Sequence, residues 1–359
     1  MKRVIYFLIP LVCFLVFFGL LMIYDASSFV AYKDFSDKYH YLKEQSFWIV
    51  LGFCALAFFS FFNYKKLYHL ALPFLLIVLF LLVLVFVPGL GVNVLGAKRW
   101  INLGFTVIQP SEFAKLALAI YLAAWFSGKE KARLPAFLLL LGLILFLVIL
   151  QPDMGTTAII LAEGLVIYFL SGASLFYFTF LVPTLLFIGY ILIKIAPYRA
   201  QRLASFLNFD NNPQMYSYHV KQILIGLGSG GLTGVGIGNS LQKYAYLPEN
   251  TTDSIFAIIG EELGFLGAFF VIALFLFLIF MGFYIAMNAK DVFGRLLAGG
   301  ITAFLGFQIF INIAAQTALL PLTGVPLPFI SYGGSALIVN LAAIGILVNI
   351  ARQKMKSLS

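Results

Sequence analysis

The apolar residues of this chain run in long unbroken blocks, and the polar residues gather in the gaps between them. A helix needs about 20 mainly apolar residues to cross a bilayer, whereas a membrane barrel needs alternating strands of about ten. The blocks therefore predict an all-α polytopic membrane protein with about ten transmembrane helices. They fall near 4–24, 46–62, 68–87, 111–126, 134–150, 155–170, 175–195 and 253–287, followed by a ninth that runs to about 320 and a tenth that ends near 350. The first block is longer than the roughly 7–15 apolar residues of a signal peptide and is read as a retained helix. The polar gap at 196–252, between the seventh and eighth helices, exceeds the roughly 12–15 residues beyond which a loop without a role is uncommon. Residues 1–359 are read as a single transmembrane domain.

Charge adds an orientation. An even number of helices puts both termini on one side. That side collects Lys2, Arg3, Lys65, Lys66, Lys129, Lys131, Arg133, Lys290, Arg295, Arg352, Lys354 and Lys356 against only Glu130 and Asp291. By the positive-inside rule it is cytoplasmic. The gap at 88–110, Gln151-Pro152-Asp153, the 196–252 insertion and the proline-rich stretch 320–328 then all face outward. Composition agrees with the membrane reading: 62% of residues are hydrophobic and 10% charged, against about 45–50% and 25% in soluble domains. The net charge of +9 suits membrane lipid headgroups or phosphate-bearing ligands. Nucleic acid is not expected as a partner, because the basic insertion faces away from the cytoplasm. Cys13 and Cys54 sit inside apolar runs and read as packing residues, and His40, His69 and His219 have no zinc-ligand spacing.

Four of the fourteen acidic residues fall within 238–264: Glu249, Asp253, Glu261 and Glu262. Ionisable groups at the edge of a hydrocarbon phase are costly and are kept mainly where they act. Asp253 stands at the outer mouth of the eighth helix, where it reads either as a helix cap or as a metal ligand or charge stabiliser. The helix dipole favours its ionised form, so it is a poorer base unless burial offsets the dipole. Glu261 and Glu262 lie about two turns further in, flanked by Gly260 and Gly264, which permit close approach of another helix. They read either as structural buried carboxylates or as lining for a polar pocket, with Asp253 and Glu261 on roughly one side. Glu112 and Lys115 are spaced to pair across one turn. Lys98-Arg99-Trp100 is either an interfacial anchor or a phosphate grip through Arg99. Asp153 is placed to cap the sixth helix. Arg199, Arg202, Lys221 and Lys243 make the long insertion basic. The run Gly226–Gly231 formally matches a dinucleotide-binding pattern, but no strand precedes it, so it reads as a tight turn beside the membrane.

Four segments together resemble one family. They are GAKRWINLGFTVIQPSEFAKL, LQPDMGTT, GSGGLTGVGIGNSLQKYAYLPENTTDSIFAIIGEELG, and PLTGVPLPFISYGGSALIVNLAAIGILVNIAR, which carries Ser331. In this order they are similar to the SEDS family of shape, elongation, division and sporulation proteins. Gly238-Asn239-Ser240, Gln242-Lys243 and Asn349 to Arg352 look closer to the division-type branch than to the elongation-type branch. The resemblance implies a peptidoglycan glycosyltransferase that polymerises lipid II on the outer face of the cytoplasmic membrane, at the division septum. It also implies work with a class B penicillin-binding protein and other divisome proteins. The family's essential aspartate falls on Asp253. Its motif is usually His-Thr-Asp-Phe, and here Thr251 and Ser254 replace the His and the Phe. On this reading Asp253 activates the acceptor hydroxyl or holds a divalent cation, Mg²⁺ or Mn²⁺, with no organic cofactor. Arg99, Lys115, Arg199, Arg202 and Lys243 are the pool of pyrophosphate ligands. Glu112, Asp153, Glu249, Glu261, Glu262 and Ser331 are supporting residues. A lipid II flippase is the rival function, with Glu112, Glu163 and the two glutamates of the eighth helix lining a path; a non-catalytic scaffold is a weaker one.

Overall fold

The structure is a computed structural model. It describes residues 1–94, 97–104, 106–128, 134–207, 215–244, 247–249 and 251–355. The basic turn expected at 129–133, and Lys356, lie outside the described residues. The elements in chain order are α1 (Lys2–Phe35), α2 (His40–Phe61), α3 (Lys65–Leu84), β1 (Gly91–Val94), β2 (Ala97–Asn102), β3 (Val107–Ile108), α4 (Pro110–Ser127), α5 (Leu134–Leu150), α6 (Met154–Leu170), α7 (Leu175–Ile195), α8 (Pro197–Leu207), α9 (Met215–Ser229), α10 (Ile255–Met287), α11 (Val292–Gln316) and α12 (Gly334–Met355). Among the described residues, seven helices are long and apolar enough to cross a membrane: α1, α2, α3, α7, α10, α11 and α12. Helices α5 and α6 are apolar and 17 residues long, about 25 Å at 1.5 Å per residue. Helix α4 has 18 residues and carries the buried Glu112 and Lys115. These three lie where the fourth, fifth and sixth helices were expected, and the chain is a polytopic, all-α membrane protein.

Helices α4, α11 and α12 form the centre. Small residues let backbones approach closely there: a Cβ on Gly300 of α11 would strike Ile167 of α6 and lie 3.4 Å from Ala119 of α4. Helix α7 lies at the periphery, and Leu181 is its one buried residue.

Several boundaries differ from the sequence reading. Helix α1 continues eleven residues past Tyr24, to Phe35, because the face Ala26, Ser27 and Ala31 is still buried. It stops where Ser36 turns left-handed (φ 57°) and donates its N–H to the Tyr32 carbonyl. Helix α2 accordingly begins at His40 instead of Ser46. The 88–110 gap is not an open connection but an antiparallel sheet, ordered β1-β2-β3, with Ile101 opposite Gly91 on one side and Ile108 on the other. Its strands are too short for alternation to show in the sequence. The 196–252 insertion contains two helices, α8 and α9. Helix α11 ends at Gln316, and α12 runs past residue 350 to Met355.

The eighth predicted helix is the most altered. Asp253 lies in the turn before α10, and α10 itself breaks at Gly264, whose φ of 66° and ψ of −169° leave helical space. A break frees backbone groups that hydrocarbon cannot satisfy. The glycine-rich stretch after α9 satisfies them. Val235 and Gly236 donate to the carbonyls of Glu261 and Glu262, and Phe265 and Leu266 donate to those of Gly231 and Leu232, all at 2.9–3.1 Å. A side chain on Gly234 (φ 81°) would strike the Glu262 carbonyl. Of the run Gly226–Gly231 read as a turn, the first four residues are the end of α9, and the patch over the broken helix is built by 231–236.

The polar segments sort to two ends of the bundle. At one end, Asp291 accepts from Tyr64 Oη at 2.7 Å, and Asn349 bridges the Tyr64 N–H and the Ser60 carbonyl. At the other end the 88–110 sheet, the α5–α6 corner, the insertion and the 317–333 segment come together. This second end holds Asp253.

Candidate active site

The turn 249–254 is built from its own backbone. Glu249, at φ 51°, accepts the N–H groups of Thr252 and Ser254 at 3.2 Å each. The 317–333 segment holds the turn from one side. Ser331 Oγ donates to the Thr252 carbonyl while accepting the Leu327 N–H at 2.8 Å, and the Tyr332 N–H bonds the Thr251 carbonyl at 2.9 Å. Helix α11 adds two amides. Asn312 Nδ2 donates to the carbonyls of Asp253 (3.1 Å) and Val325 (2.7 Å), and Gln316 Nε2 bonds Asn312 Oδ1 at 2.6 Å. Gln316 Oε1 accepts the Ala257 N–H at 2.8 Å and so performs the cap of α10. That leaves Ser254, the N-cap residue, with a side chain that makes no cap bond. Its hydroxyl instead meets His219 Nε2 of α9 at 2.7 Å.

Against this rigid backbone the Asp253 carboxylate is lightly held. The Thr252 hydroxyl stands 3.2 Å from Oδ1 and 3.0 Å from Glu249 Oε2, and the residue's own backbone N–H adds a second, local contact. With one proton, the hydroxyl serves one carboxylate at a time. Asp253 is half-buried. Burial, and then the charge of Glu249, push its carboxyl up to about 7, against the opposing pull of backbone and Thr252 hydrogen bonds and the Arg202 guanidinium. Burial thus outweighs the helix-end effect expected from the sequence. Asp253 is accordingly placed to exchange a proton near neutral pH. His219 moves the other way: burial, then the charge of Arg202, hold it down to about 4, so its ring is neutral.

Other candidate residues are placed as follows. Arg202 acts on Asp253 through its charge and donates to the Leu322 carbonyl at 3.4 Å. Arg199 donates to the carbonyls of Leu192 (3.0 Å) and Ile149 (3.4 Å), and Arg99 to those of Gln151 (3.1 Å) and Pro152. Three guanidinium groups therefore gather on the α5–α6 corner and the adjoining segment. Asp153 is the N-cap of α6: Oδ1 accepts the Thr156 N–H at 3.0 Å, and Oδ2 accepts from Thr156 Oγ1 and Gln109.

Lys115 is elsewhere, deep in the bundle, with Nζ 2.8 Å from Glu112 Oε2 and 2.6 Å from Gln308 Oε1. Gln308, Asn312 and Gln316 are spaced by four along α11, about 6 Å per step, so this amide ladder runs from Lys115 up to the Asp253 turn. Glu163 of α6 is buried within Coulomb reach of Lys115.

Lys243 is also elsewhere, tied to Asp25 of α1 at 2.9 Å and to Glu262 at 3.4 Å. Glu261 and Glu262 do not face Asp253. Glu261 accepts from Ser240 Oγ and the Leu241 N–H, and Glu262 Oε1 accepts the N–H groups of Gly238 and Ser240 at 3.1 and 3.3 Å. Gly260 does admit a helix, since a side chain there would meet Leu227 of α9; Gly264 admits the backbone of 232–234 instead.

The sequence reading missed Gln308, Asn312, Gln316 and His219. Amides recurring every fourth residue in an otherwise apolar run were the available signal for the first three. For His219 there was no local signal.

Among the described residues no group of three or more His, Cys, Asp or Glu side chains converges. The oxygens of Asp253, Glu249 and Thr252 do fit a hard divalent cation, since Mg²⁺ keeps several waters and takes only one or two carboxylates with substrate phosphates.

The fold and this site define a multi-span membrane protein with a half-buried carboxylate at one end of the bundle. Residues 6–356 match the family model of FtsW, RodA and SpoVE, described as cell cycle proteins, and the chain belongs to that family. "Stage V sporulation protein E" of Bacillus subtilis (strain 168) is 40% identical over 342 residues, covering 93% of each chain. "Probable peptidoglycan glycosyltransferase FtsW" of Geobacter metallireducens (strain ATCC 53774 / DSM 7210 / GS-15) is 39% identical over 340 residues, covering 93% of this chain and 91% of the other. A solved chain from work described as "Structural coordination of polymerization and crosslinking by a peptidoglycan synthase complex" superposes with a TM-score of 0.77 at 28% identity, over 97% of this chain and 98% of that one.

Proposed function

We propose that the chain is a peptidoglycan glycosyltransferase that polymerises lipid II, with Asp253 as its base. The carrying observation is a half-buried carboxylate raised to about 7, lightly bonded, in the field of Arg202, in a chain of this family. The acceptor sugar hydroxyl attacks the anomeric carbon of the donor. A new C–O bond forms, the bond to the lipid pyrophosphate breaks, and the hydroxyl proton passes to Asp253. Pyrophosphate leaves readily, so the acid partner of a glycosidase pair is not required. One direct displacement inverts the anomeric centre. Arg202, Arg99 and Arg199 are the cations nearest the rim and best placed to meet the pyrophosphate, since planar guanidinium groups match phosphate oxygens. The burial of Lys115 and the pairing of Lys243 favour supporting roles for both. In the alternative in which Asp253 holds a divalent cation instead of taking the proton, Mg²⁺ or Mn²⁺ on Asp253 and Glu249 would neutralise phosphate charge.

The basic end of the bundle, with Lys65 and Arg352, is assigned to the cytoplasm together with both termini. The site then faces outward, where a class B penicillin-binding protein would crosslink the nascent strand. The division septum is the assigned location, in company with other divisome proteins. Sporulation-type and division-type relatives are equally similar, at 40% and 39%, so the division assignment rests on the 238–243 and 349–352 segments. The test is purified protein with lipid II on the accessible face of vesicles, with and without a transpeptidase partner and chelator. Polymer from the parent, and background from Asp253→Asn, is the expected result. Lipid II movement without polymer would instead identify a flippase.

A further inference from the structure

We propose that His219 is a positioning residue for Asp253, acting through Ser254 from outside the 249–254 turn. This rests on the reading of Asp253 as the base. The turn is tied on one flank by Ser331, Tyr332 and Asn312. On the flank of α9 the described tie is the bond of 2.7 Å between His219 Nε2 and Ser254 Oγ.

Two features separate this bond from ordinary helix capping. An N-cap serine normally turns its hydroxyl onto the first free N–H groups of its helix. Here Gln316 already holds the Ala257 N–H, so the Ser254 hydroxyl is released from that task and spans to α9. Both partners are also shielded from solvent, with Ser254 at 0% and His219 at 8% exposure. A buried hydrogen bond of this kind leaves an unsatisfied group when either partner is removed.

The neutral ring brings no charge to the site, so its effect on Asp253 is geometric. It fixes the residue that follows the carboxylate in the chain, and with it the direction in which the carboxylate faces the acceptor. Arg202 acts electrically on both His219 and Asp253. The same guanidinium therefore senses the position of α9 and of the carboxylate. A base displaced by a fraction of an ångström loses rate without losing affinity for substrate.

The test uses the full-length chain and lipid II in the vesicle assay above, reading kcat and KM separately. Ser254→Ala and His219→Ala are each expected to lower kcat about three- to tenfold, with KM for lipid II within about twofold. The double variant is expected to match the worse single variant, because the two residues act as a unit. His219→Gln places an amide nitrogen near the position of Nε2 and is expected to stay closer to the parent than His219→Ala. Ser254→Ala removes a single buried hydroxyl, so it remains informative even where the histidine variants fold poorly. A parental kcat in Ser254→Ala, losses that multiply in the double variant, or an effect confined to KM would each overturn the proposal. Asp253→Asn is run alongside. If it polymerises normally, the assignment of the base has failed; if it is inactive while Ser254→Ala is unaffected, only the positioning role has failed.

Discussion

Asp253 and Glu262 stand nine residues apart in one continuous stretch, yet their surroundings are opposite. The Glu262 side chain is buried, and Oε1 gathers two backbone N–H groups and the Lys243 ammonium. With Glu261 it clamps the 234–243 stretch against the broken α10. Asp253 is half-buried, its backbone is pinned by α11 and the 317–333 segment, and its carboxylate meets one shared hydroxyl. A carboxylate with one oxygen committed to two backbone N–H groups and an ammonium holds structure. One whose backbone is fixed while its oxygens stay available can act on something else. The same acidic composition therefore divides into a clamp and a reactive group according to what is bonded, backbone or side chain.

The largest expected effect breaks the comparison at its reactive member. Asp253→Asn should lower kcat by roughly 10²–10⁴-fold, the usual contribution of a positioned base, while folding normally. A raised carboxyl also carries a stability sign. The folded state holds the Asp253 proton more tightly than the unfolded chain, so this group stabilises the fold at low pH and loses that contribution as pH rises through about 7. Above pH 7 the asparagine variant should unfold at the same temperature as the parent or higher, which a thermal melt in detergent checks.

At the clamp the pattern should invert. Glu262→Ala leaves the Gly238 and Ser240 N–H groups and Lys243 without their acceptor, and losses of about 1–3 kcal/mol per buried group are typical. The melting temperature should fall, with activity following the folded fraction. Gly264→Ala acts on the same clamp through the backbone: a side chain at φ 66° strains the break and would collide with the 232–234 backbone. Strain of this kind costs about 1–3 kcal/mol, and limited proteolysis after residue 230 should become faster.

The smallest effect sharpens the reactive side alone. The Asp253 carboxyl serves as a base only when ionised, so the rate should climb with pH through about 7 and fall tenfold per unit below it. Glu249 raises that midpoint by its charge. Glu249→Gln should therefore move the acid limb to lower pH, read as a higher fraction of that variant's own maximal rate at pH 6.

Much of this was legible in the residue pattern. Continuous apolar blocks located the apolar helices, because crossing a bilayer requires about 20 mainly apolar residues. The polar segments at 88–110, 151–153, 196–252 and 320–328 were grouped at one end from the helix count and the lysine distribution, and the structure brings them together there. Asp253 stood out because acidic residues are scarce elsewhere. Three things were hidden, each for a physical reason. The break at Gly264 depends on backbone groups supplied from thirty residues earlier, so glycine spacing looked like helix packing. The β1–β3 sheet is made of strands too short to show a period. The split between Glu262 and Asp253 depends on where Gly238, Ser240 and Lys243 come to rest, and helical spacing alone put Glu261 on roughly the same side as Asp253. Tertiary hydrogen bonds, which local pattern does not encode, decided that case.

The most direct measurement compares initial rates of glycan polymerisation from lipid II for Asp253→Asn and Glu262→Gln, each scaled to the folded fraction of the same preparation. Asp253→Asn should sit at background while Glu262→Gln runs within a few-fold of the parent. Comparable losses in both, or a parental rate in Asp253→Asn, would contradict the division into clamp and reactive group.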